Sequence, residues 1–368
     1  MTNREHMMKT PFLTLTATLA LTAGLAQADE VRVYNWSDYI DESLLAKFEE
    51  ETGIDLIYDV FDSNEVLETK MLAGGSGYDV VVPTGTFLQR QIMAGAFQPL
   101  DKSKLPNIDN MWDVISDRTS KYDPGNEYAI NYMWGTTGLG VNEAKVKEVL
   151  GEDAPVTSWD LVFKPENMEK LQDCGVMFLD APAEMIPAAL NYIGEEPDSH
   201  DPDVIAKAED VFMPIRPYIQ KFHSSEYINA LANGDICVAV GWSGDVLQAR
   251  DRAAEADNGV EIAYHAFAEG SAMWFDQMAI PVDAPNPDAA HAFLNFMLGA
   301  ENIAAVSNYV YYSNGNLASQ AFLEPDVIGD PAIYPPEATM DTLWVFQGWA
   351  PKVQRTATRL WTKIKSGT

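Results

Sequence analysis

The sequence has 368 residues, and its 24 lysine and arginine residues stand against 55 aspartate and glutamate residues, which gives a formal net charge of -31 at pH 7. A surface of this sign repels nucleic acid and anionic lipid and attracts cations, although a general gain in solubility would explain the same excess. The length suits one large domain or two ordinary ones, and two is the better expectation.

The first 28 residues have the pattern of an export signal. Arg4 and Lys9 give a positive start, residues 12–25 form a short apolar stretch, and residues 26–28 read Ala-Gln-Ala, which is an A-x-A cleavage site. The apolar stretch is too short to span a bilayer. We therefore expect an exported mature chain that begins at Asp29.

Strand and helix patterns alternate over the next part of the chain. Strands are predicted at 31–36, 54–61 and 78–85, and helices at 41–53 and 64–75. This βαβαβ order predicts an α/β fold with a parallel sheet and helices on both faces. Because ligand sites of such sheets gather beyond the carboxyl ends of strands, the loop at 34–39 and the Pro-Thr-Gly at 83–85 should be neighbours.

A glycine-rich extended segment at 127–142, with a predicted kink at its glycines, is expected to cross into a second lobe. A second set of patterns follows it. Strands are predicted at 175–180, 235–242, 261–267 and 271–282, and helices at 183–194 and 287–299. The chain has no internal repeat.

Motifs for catalysis and for cofactors are missing from the sequence. The five histidines are dispersed, and there is no HExxH zinc motif, no G-x-S-x-G elbow and no P-loop. We therefore predict no metal, no cofactor and no enzymatic activity. A carbohydrate-active enzyme or a sugar-binding protein, with a cleft of tryptophans and paired carboxylates, is the alternative.

Tryptophan and aspartate recur together after predicted strands. The pairs are Trp36 with Asp38, Trp242 with Asp245, and Trp274 with Asp276. In an extended chain, residues i and i+2 point to the same side, so the first and third pairs could each present a ring beside a carboxylate. Such a pair suits an alkyl ammonium group, which bonds to the carboxylate and lies against the ring. For any single pair, ordinary packing with a capping aspartate is the alternative.

Two cysteines, Cys174 and Cys237, remain in the exported chain. An even number in an oxidising compartment favours one disulfide, and two buried thiols are the alternative.

Motifs along nearly the whole mature chain resemble those of one protein family. They include "VYNWSDYI" from residue 33, "NYMWGTTGLGVN" from residue 131, "LANGDICVAVGWSGDVLQA" from residue 231 and "WFDQMAIP" from residue 274. The chain resembles the periplasmic polyamine-binding proteins of ABC transporters, most closely the putrescine-binding type. The resemblance implies the two-lobed type II periplasmic-binding-protein fold, a periplasmic location, a monomer, and delivery of a polyamine to an inner-membrane ABC permease.

The resemblance also implies specific residues and boundaries. It places lobe 1 at 29–135 with 257–306 and lobe 2 at 136–256 with 307–368, and it pairs the two cysteines in a disulfide. Thr84 stands where the family more usually has serine, and Trp274 lies at an aromatic position that varies between putrescine and spermidine binders, so the choice between these two ligands stays open. The Ser-Asp at 37–38 favours putrescine. The ligand-binding residues that it implies are Trp36, Ser37, Asp38, Tyr39, Thr84, Glu184, Trp242, Asp245, Trp274, Asp276 and Tyr312.

Overall fold

The computed structural model describes Met1 and residues 30–368, so the predicted cleavage site and nearly all of the predicted signal lie outside the described residues. Within the described part, none of the helices combines the length and the apolar character that crossing a membrane requires.

Strands and helices alternate over most of the described chain. The strands are β1 Glu30–Trp36, β2 Asp55–Phe61, β3 Val80–Val81, β4 Ala129–Val141, β5 Val176–Phe178, β6 Lys221–Phe222, β7 Val238–Trp242, β8 Ala263–His265, β9 Met273–Ala279 and β10 Ser313–Asn314. The helices are α1 Ser43–Thr52, α2 Asn64–Ala73, α3 Gly85–Met93, α4 Asp113–Thr119, α5 Glu143–Leu150, α6 Asp160–Phe163, α7 Pro165–Leu171, α8 Pro182–Tyr192, α9 Pro202–Ile205, α10 Ala208–Phe212, α11 Glu226–Asn233, α12 Ser243–Ala256, α13 Pro287–Met297, α14 Ala300–Val310, α15 Pro325–Ile328, α16 Glu337–Met340 and α17 Pro351–Ser366.

The predicted βαβαβ unit is present. β1 pairs in parallel with both β2 and β3, and α1 and α2 connect them. β3 is shorter than predicted, because pairing stops after two residues, just before Val82 and Pro83, and proline has no N–H to donate to a ladder. The strand order of the whole sheet is β2-β1-β3-β9-β4-β7-β5-β6, with β8 and β10 also paired to β4.

The long strand β4 joins the two halves of this sheet. Its first part, Ala129 to Thr136, pairs with β9, and its second part, Thr137 to Val141, pairs with β7. All thirteen of its residues are buried. The predicted kink at the glycines is not found in β4, whose register instead shifts between Asn131 and Met133. The predicted crossing between two halves is therefore made by one continuous strand.

Two large apolar clusters form the cores of these halves. The first contains side chains of β1, α1 and α13, and the second contains side chains of β5, α8, α12 and α17. Tyr312 belongs to the first cluster, whereas β8 pairs with the second part of β4. We propose lobe boundaries that follow this packing. β8, predicted in lobe 1, joins lobe 2, and residues 307–312, predicted in lobe 2, join lobe 1.

The predicted disulfide between Cys174 and Cys237 is present, with 5.6 Å between the two Cα atoms. It links the end of α7 to the residue before β7, at the edge of the second cluster. A bridge at this place restrains the unfolded chain and so stabilises lobe 2.

Candidate ligand-binding cleft

A cleft lies between the two halves of the sheet, at the edge that the strand order predicts. Its empty space is about 620 Å³ including the open mouth. β1, β3 and β7 each end at it, which brings the loop at 34–39 and Thr84 together as expected. The structure places all eleven residues implied by the resemblance along this one cleft. Six further lining residues were not predicted: Phe61, Asp62, Asn64, Ser224, Ser225 and Ile228.

Asp276 lies in β9 with 5 % of its surface exposed. Its carboxylate accepts hydrogen bonds from the Tyr39 hydroxyl at 2.8 Å and from Thr84 Oγ1 at 2.6 Å. Asn64 holds Thr84 in place through its side-chain amide, which donates to Thr84 Oγ1 and accepts from the Thr84 N–H. Burial nevertheless dominates and raises the pKa of Asp276 to about 7.

Asp245 lies in the first turn of α12, where the helix dipole favours a negative charge. Two tyrosine hydroxyls donate to its carboxylate, from Tyr312 at 2.7 Å and from Tyr227 at 2.7 Å. Burial again outweighs these bonds and raises the pKa of Asp245 to about 6. Tyr227, in α11, was not predicted from the sequence, because it lies 18 residues from Asp245 and no local pattern relates the two.

Glu184 lies in the first turn of α8 and is held by two donors. The Trp242 indole N–H donates to both carboxylate oxygens, at 3.0 and 3.1 Å, and the Thr137 hydroxyl donates to Oε2. Burial raises its pKa to about 7. The Trp242 indole is therefore hydrogen-bonded to Glu184, whereas the sequence pattern paired Trp242 with Asp245.

Aromatic rings form the walls between these acids. Trp242 meets Trp36 with 6.1 Å between ring centroids and Trp274 with 6.4 Å, both nearly edge to face. Tyr312 lies 5.4 Å from Tyr39 and 5.2 Å from Trp274. The Trp36 ring is fixed by its N–H, which donates to the carbonyl of Val82. The rings thus form apolar faces that can cover a methylene chain.

Ser37 and Asp38 lie at the mouth of the cleft. Asp38 has a positive φ of 53°, so the chain turns after β1 and the argument that Trp36 and Asp38 share one side of an extended chain fails there. The side chain of Asp38 is 60 % exposed, and Arg252 of α12 approaches it at 3.5 Å. Ser37 donates to Asp62. Both residues line the cleft, but neither is desolvated as the three deeper acids are.

The charge of the cleft has one sign. Among the seventeen described residues that line it there is no lysine, arginine or histidine. The described residues also contain no cluster of side chains that could hold a metal ion. Three desolvated carboxylates, each with its hydrogen-bond donors already in place, can accept ammonium groups and would repel an oxyanion.

The comparisons with known proteins agree with this chemistry. Residues 43–335 match the sequence profile of the bacterial extracellular solute-binding proteins. The chain is 53 % identical to the putrescine-binding periplasmic protein SpuD of Pseudomonas aeruginosa, over 95 % of this chain and 97 % of that protein. It is 51 % identical to the putrescine-binding periplasmic protein PotF of Escherichia coli, over 95 % and 96 % of the two chains. Among solved structures, it is similar to the spermidine/putrescine ABC transporter substrate-binding protein PotD of Streptococcus pneumoniae, with a TM-score of 0.76, 31 % identity, and coverage of 92 % and 99 %.

Proposed function

Because the chain belongs to the bacterial extracellular solute-binding protein family, we propose that its cleft captures putrescine and hands it to an ABC permease. The protein is a periplasmic solute-binding protein with the two-lobed type II fold, and its relatives are transport proteins. We also propose that it delivers its ligand to an inner-membrane permease, that it is a monomer, and that the predicted lining residues contact the ligand.

The observation that supports it best is the set of three carboxylates in one aromatic cleft, of which Asp276 is buried and Glu184 and Asp245 are partly buried. Leaving a carboxylate charged away from water is unfavourable, as the raised pKa values of Asp276, Glu184 and Asp245 record. A diamine supplies a positive charge at each end and methylenes between them, so it offsets this cost while the rings of Trp36, Trp242 and Trp274 cover its apolar part.

Sugars fit the cleft less well than amines. A sugar has no charge to match the three acids, and it needs amides and arginines that bond its hydroxyls. The one amide side chain among the described lining residues, that of Asn64, is already bonded to Thr84. The alternative of a carbohydrate-active enzyme or sugar-binding protein is therefore not favoured.

We propose putrescine over spermidine as the preferred ligand, with selectivity of about tenfold, or 1.4 kcal/mol. This preference follows from the resemblance, in which the Ser-Asp at 37–38 is typical of the putrescine-binding type. A diamine of six heavy atoms at the ligand-efficiency ceiling of about -1.5 kcal/mol per atom reaches about -9 kcal/mol, which is a dissociation constant near micromolar or slightly below.

The ligand would also close the cleft, because the acids that would bind it lie on both proposed lobes: Asp276 on lobe 1, and Glu184 and Asp245 on lobe 2. A ligand that contacts both sets stabilises the closed arrangement alone.

Isothermal titration calorimetry with putrescine, spermidine, cadaverine and simple sugars tests the proposal. We expect a one-to-one complex with putrescine, somewhat weaker binding of spermidine, and no heat with sugars. Binding of sugars without amines, or turnover of a glycoside, would contradict it.

A further inference from the structure

Gly135 of β4 lies directly opposite Trp274 of β9 in the antiparallel pairing of the two strands. The indole of Trp274 lies over this glycine. A Cβ atom built at position 135 would come within 2.7 Å of Cζ2 and 2.9 Å of Cη2 of the indole, and within 3.0 Å of Ser243 Oγ. An aromatic ring that packs over a cross-strand glycine uses the space left by the missing side chain.

The Trp274 ring has little freedom to move in other directions. Trp274 is 6 % exposed. Its ring centroid lies 5.2 Å from that of Tyr312 and 6.4 Å from that of Trp242. Both of these residues line the cleft. Because ordinary carbon contacts lie at about 3.5 to 4.0 Å, a methyl group at position 135 would push the ring by about 1 Å. The ring would move away from β4 and into the space for the ligand.

We propose that Gly135 is a positioning residue for ligand binding: its missing side chain sets how far Trp274 projects into the cleft, and thereby how long a diamine fits. This inference rests on the proposed function, since it concerns the ligand of the same cleft. Gly135 does not line the cleft itself, and it acts only through the ring of Trp274.

The test compares putrescine with cadaverine, a diamine that is one methylene longer. Both dissociation constants are measured by calorimetry for the wild type, Gly135→Ala, Trp274→Phe and the double variant. In Gly135→Ala we expect cadaverine to lose at least about tenfold more affinity than putrescine, since the displaced ring takes up about 1 Å of the slot and the longer chain needs more of that space. Phenylalanine lacks the ring atoms that the new methyl group would meet. In the Trp274→Phe background, the same glycine substitution should therefore change the ratio of the two constants by less than about threefold.

Gly140 offers a matched control in the same strand. A Cβ atom there would meet side-chain atoms of Val246 and Leu231, at 2.8 to 2.9 Å, in the core of the second cluster. Gly140→Ala should lower the melting temperature without changing the ratio of the two dissociation constants. A change of ratio in this control as large as in Gly135→Ala would contradict the proposal, because strain anywhere in β4 would then suffice.

Three further results would overturn it. They are an unchanged ratio in Gly135→Ala, an equal loss of affinity for both diamines, and a ratio change that persists with phenylalanine at position 274. If Gly135→Ala does not fold, the double variant should fold, since the two contacts under 3.0 Å are removed and the remaining contact with Ser243 Oγ, at 3.0 Å, needs a shift of only a few tenths of an ångström. An unfolded double variant would contradict the proposal. Failure of the proposed function looks different, because the wild type would then bind neither diamine.

Discussion

The hydroxyl group of Tyr312 makes two hydrogen bonds with Asp245, which lies in the first turn of α12. The hydroxyl donates to Oδ1 of the Asp245 carboxylate at 2.7 Å and accepts the Asp245 backbone N–H at 3.0 Å. Tyr312 packs in the first apolar cluster, whereas α12 packs in the second. A single side chain of one half of the molecule thus orients a cleft carboxylate of the other half.

Tyr312→Phe removes this donor and leaves the ring. Since a hydrogen bond to a charged group contributes about 1.5 to 3 kcal/mol, we expect putrescine affinity to fall by about 10- to 100-fold in calorimetry. Tyr309→Phe is the matched control, because Tyr309 lies on the neighbouring helix α14 and is 57 % exposed. An unchanged affinity in Tyr312→Phe would show that Asp245 needs no orientation from lobe 1.

The four predicted acids of the cleft should differ in effect according to how far each is withdrawn from water. Removing the charge of one deep acid leaves an ammonium group without its partner, as in Asp276→Asn, Asp245→Asn or Glu184→Gln. We expect each to weaken binding by about 3 to 5 kcal/mol, which is more than 100-fold. Glu184 belongs with the two aspartates because desolvation raises its pKa to about 7, as it does for Asp276.

Asp38→Asn is the matched control for this set, because Asp38 is 60 % exposed and its ion pair with Arg252 lies at the surface. Exposed pairs contribute up to about 1 kcal/mol, so we expect a loss of no more than about fivefold. Equal losses in Asp38→Asn and Asp276→Asn, measured by calorimetry, would contradict the ranking by burial.

Binding of a diamine should release protons near neutral pH. Without ligand, the pKa values of Glu184 and Asp276 are raised to about 7 and that of Asp245 to about 6. A bound ammonium group favours the charged form and lowers each pKa, so the protons must leave on binding. Putrescine affinity should therefore fall by about 10- to 100-fold between pH 8 and pH 6.

Titrations in two buffers with different ionisation enthalpies measure this proton release directly. At pH 6 the observed enthalpy should depend on the buffer, with the sign of proton release, and at pH 8.5 the dependence should be small. Affinity that stays constant from pH 8 to pH 6 would contradict a site made of desolvated carboxylates.

Removing the charge of Asp276 should stabilise the ligand-free protein. Because its folded pKa is raised to about 7, the native state holds this proton more tightly than the unfolded state does. The contribution of this group to stability is therefore favourable at low pH and is lost as the pH rises towards 7. One pKa unit corresponds to about 1.4 kcal/mol, so at pH 8 Asp276→Asn should raise the free energy of unfolding by at least about 1 kcal/mol.

Urea unfolding of the wild type and of Asp276→Asn at pH 5 and pH 8, without ligand, checks this expectation. The difference should favour the variant at pH 8 and should be clearly smaller at pH 5, where only part of the contribution has been lost. A variant that is less stable than the wild type at both values would mean that the bonds from Tyr39 and Thr84 outweigh burial.

Local sequence patterns predicted the parallel strands and therefore the edge at which the cleft lies. The Trp274–Asp276 pair follows from the alternation of an extended strand, and both residues lie in β9 and line the cleft. The Trp36–Asp38 pair could not be predicted in this way, because the left-handed backbone of Asp38 ends the alternation. The loop after β2 could have been found by the same rule, since Asp62 and Asn64 follow the end of that strand.

The groups that hold the three acids could not be predicted from spacing. The hydroxyls of Thr137 and Tyr227 meet Glu184 and Asp245 only through long-range packing, across sequence separations that no local pattern records. The lobe to which Tyr312 belongs depends in the same way on the packing of α14 against β1 and α13.

The most direct test of the central claim is a calorimetric comparison of putrescine with n-butylamine, which has the same four-carbon chain and one ammonium group instead of two. If buried carboxylates hold both ends of a diamine, putrescine should bind near micromolar or tighter, and n-butylamine at least about 100-fold more weakly, because one carboxylate site keeps its desolvation cost without a partner. Equal affinity for the two amines, or no measurable binding of putrescine, would contradict the account.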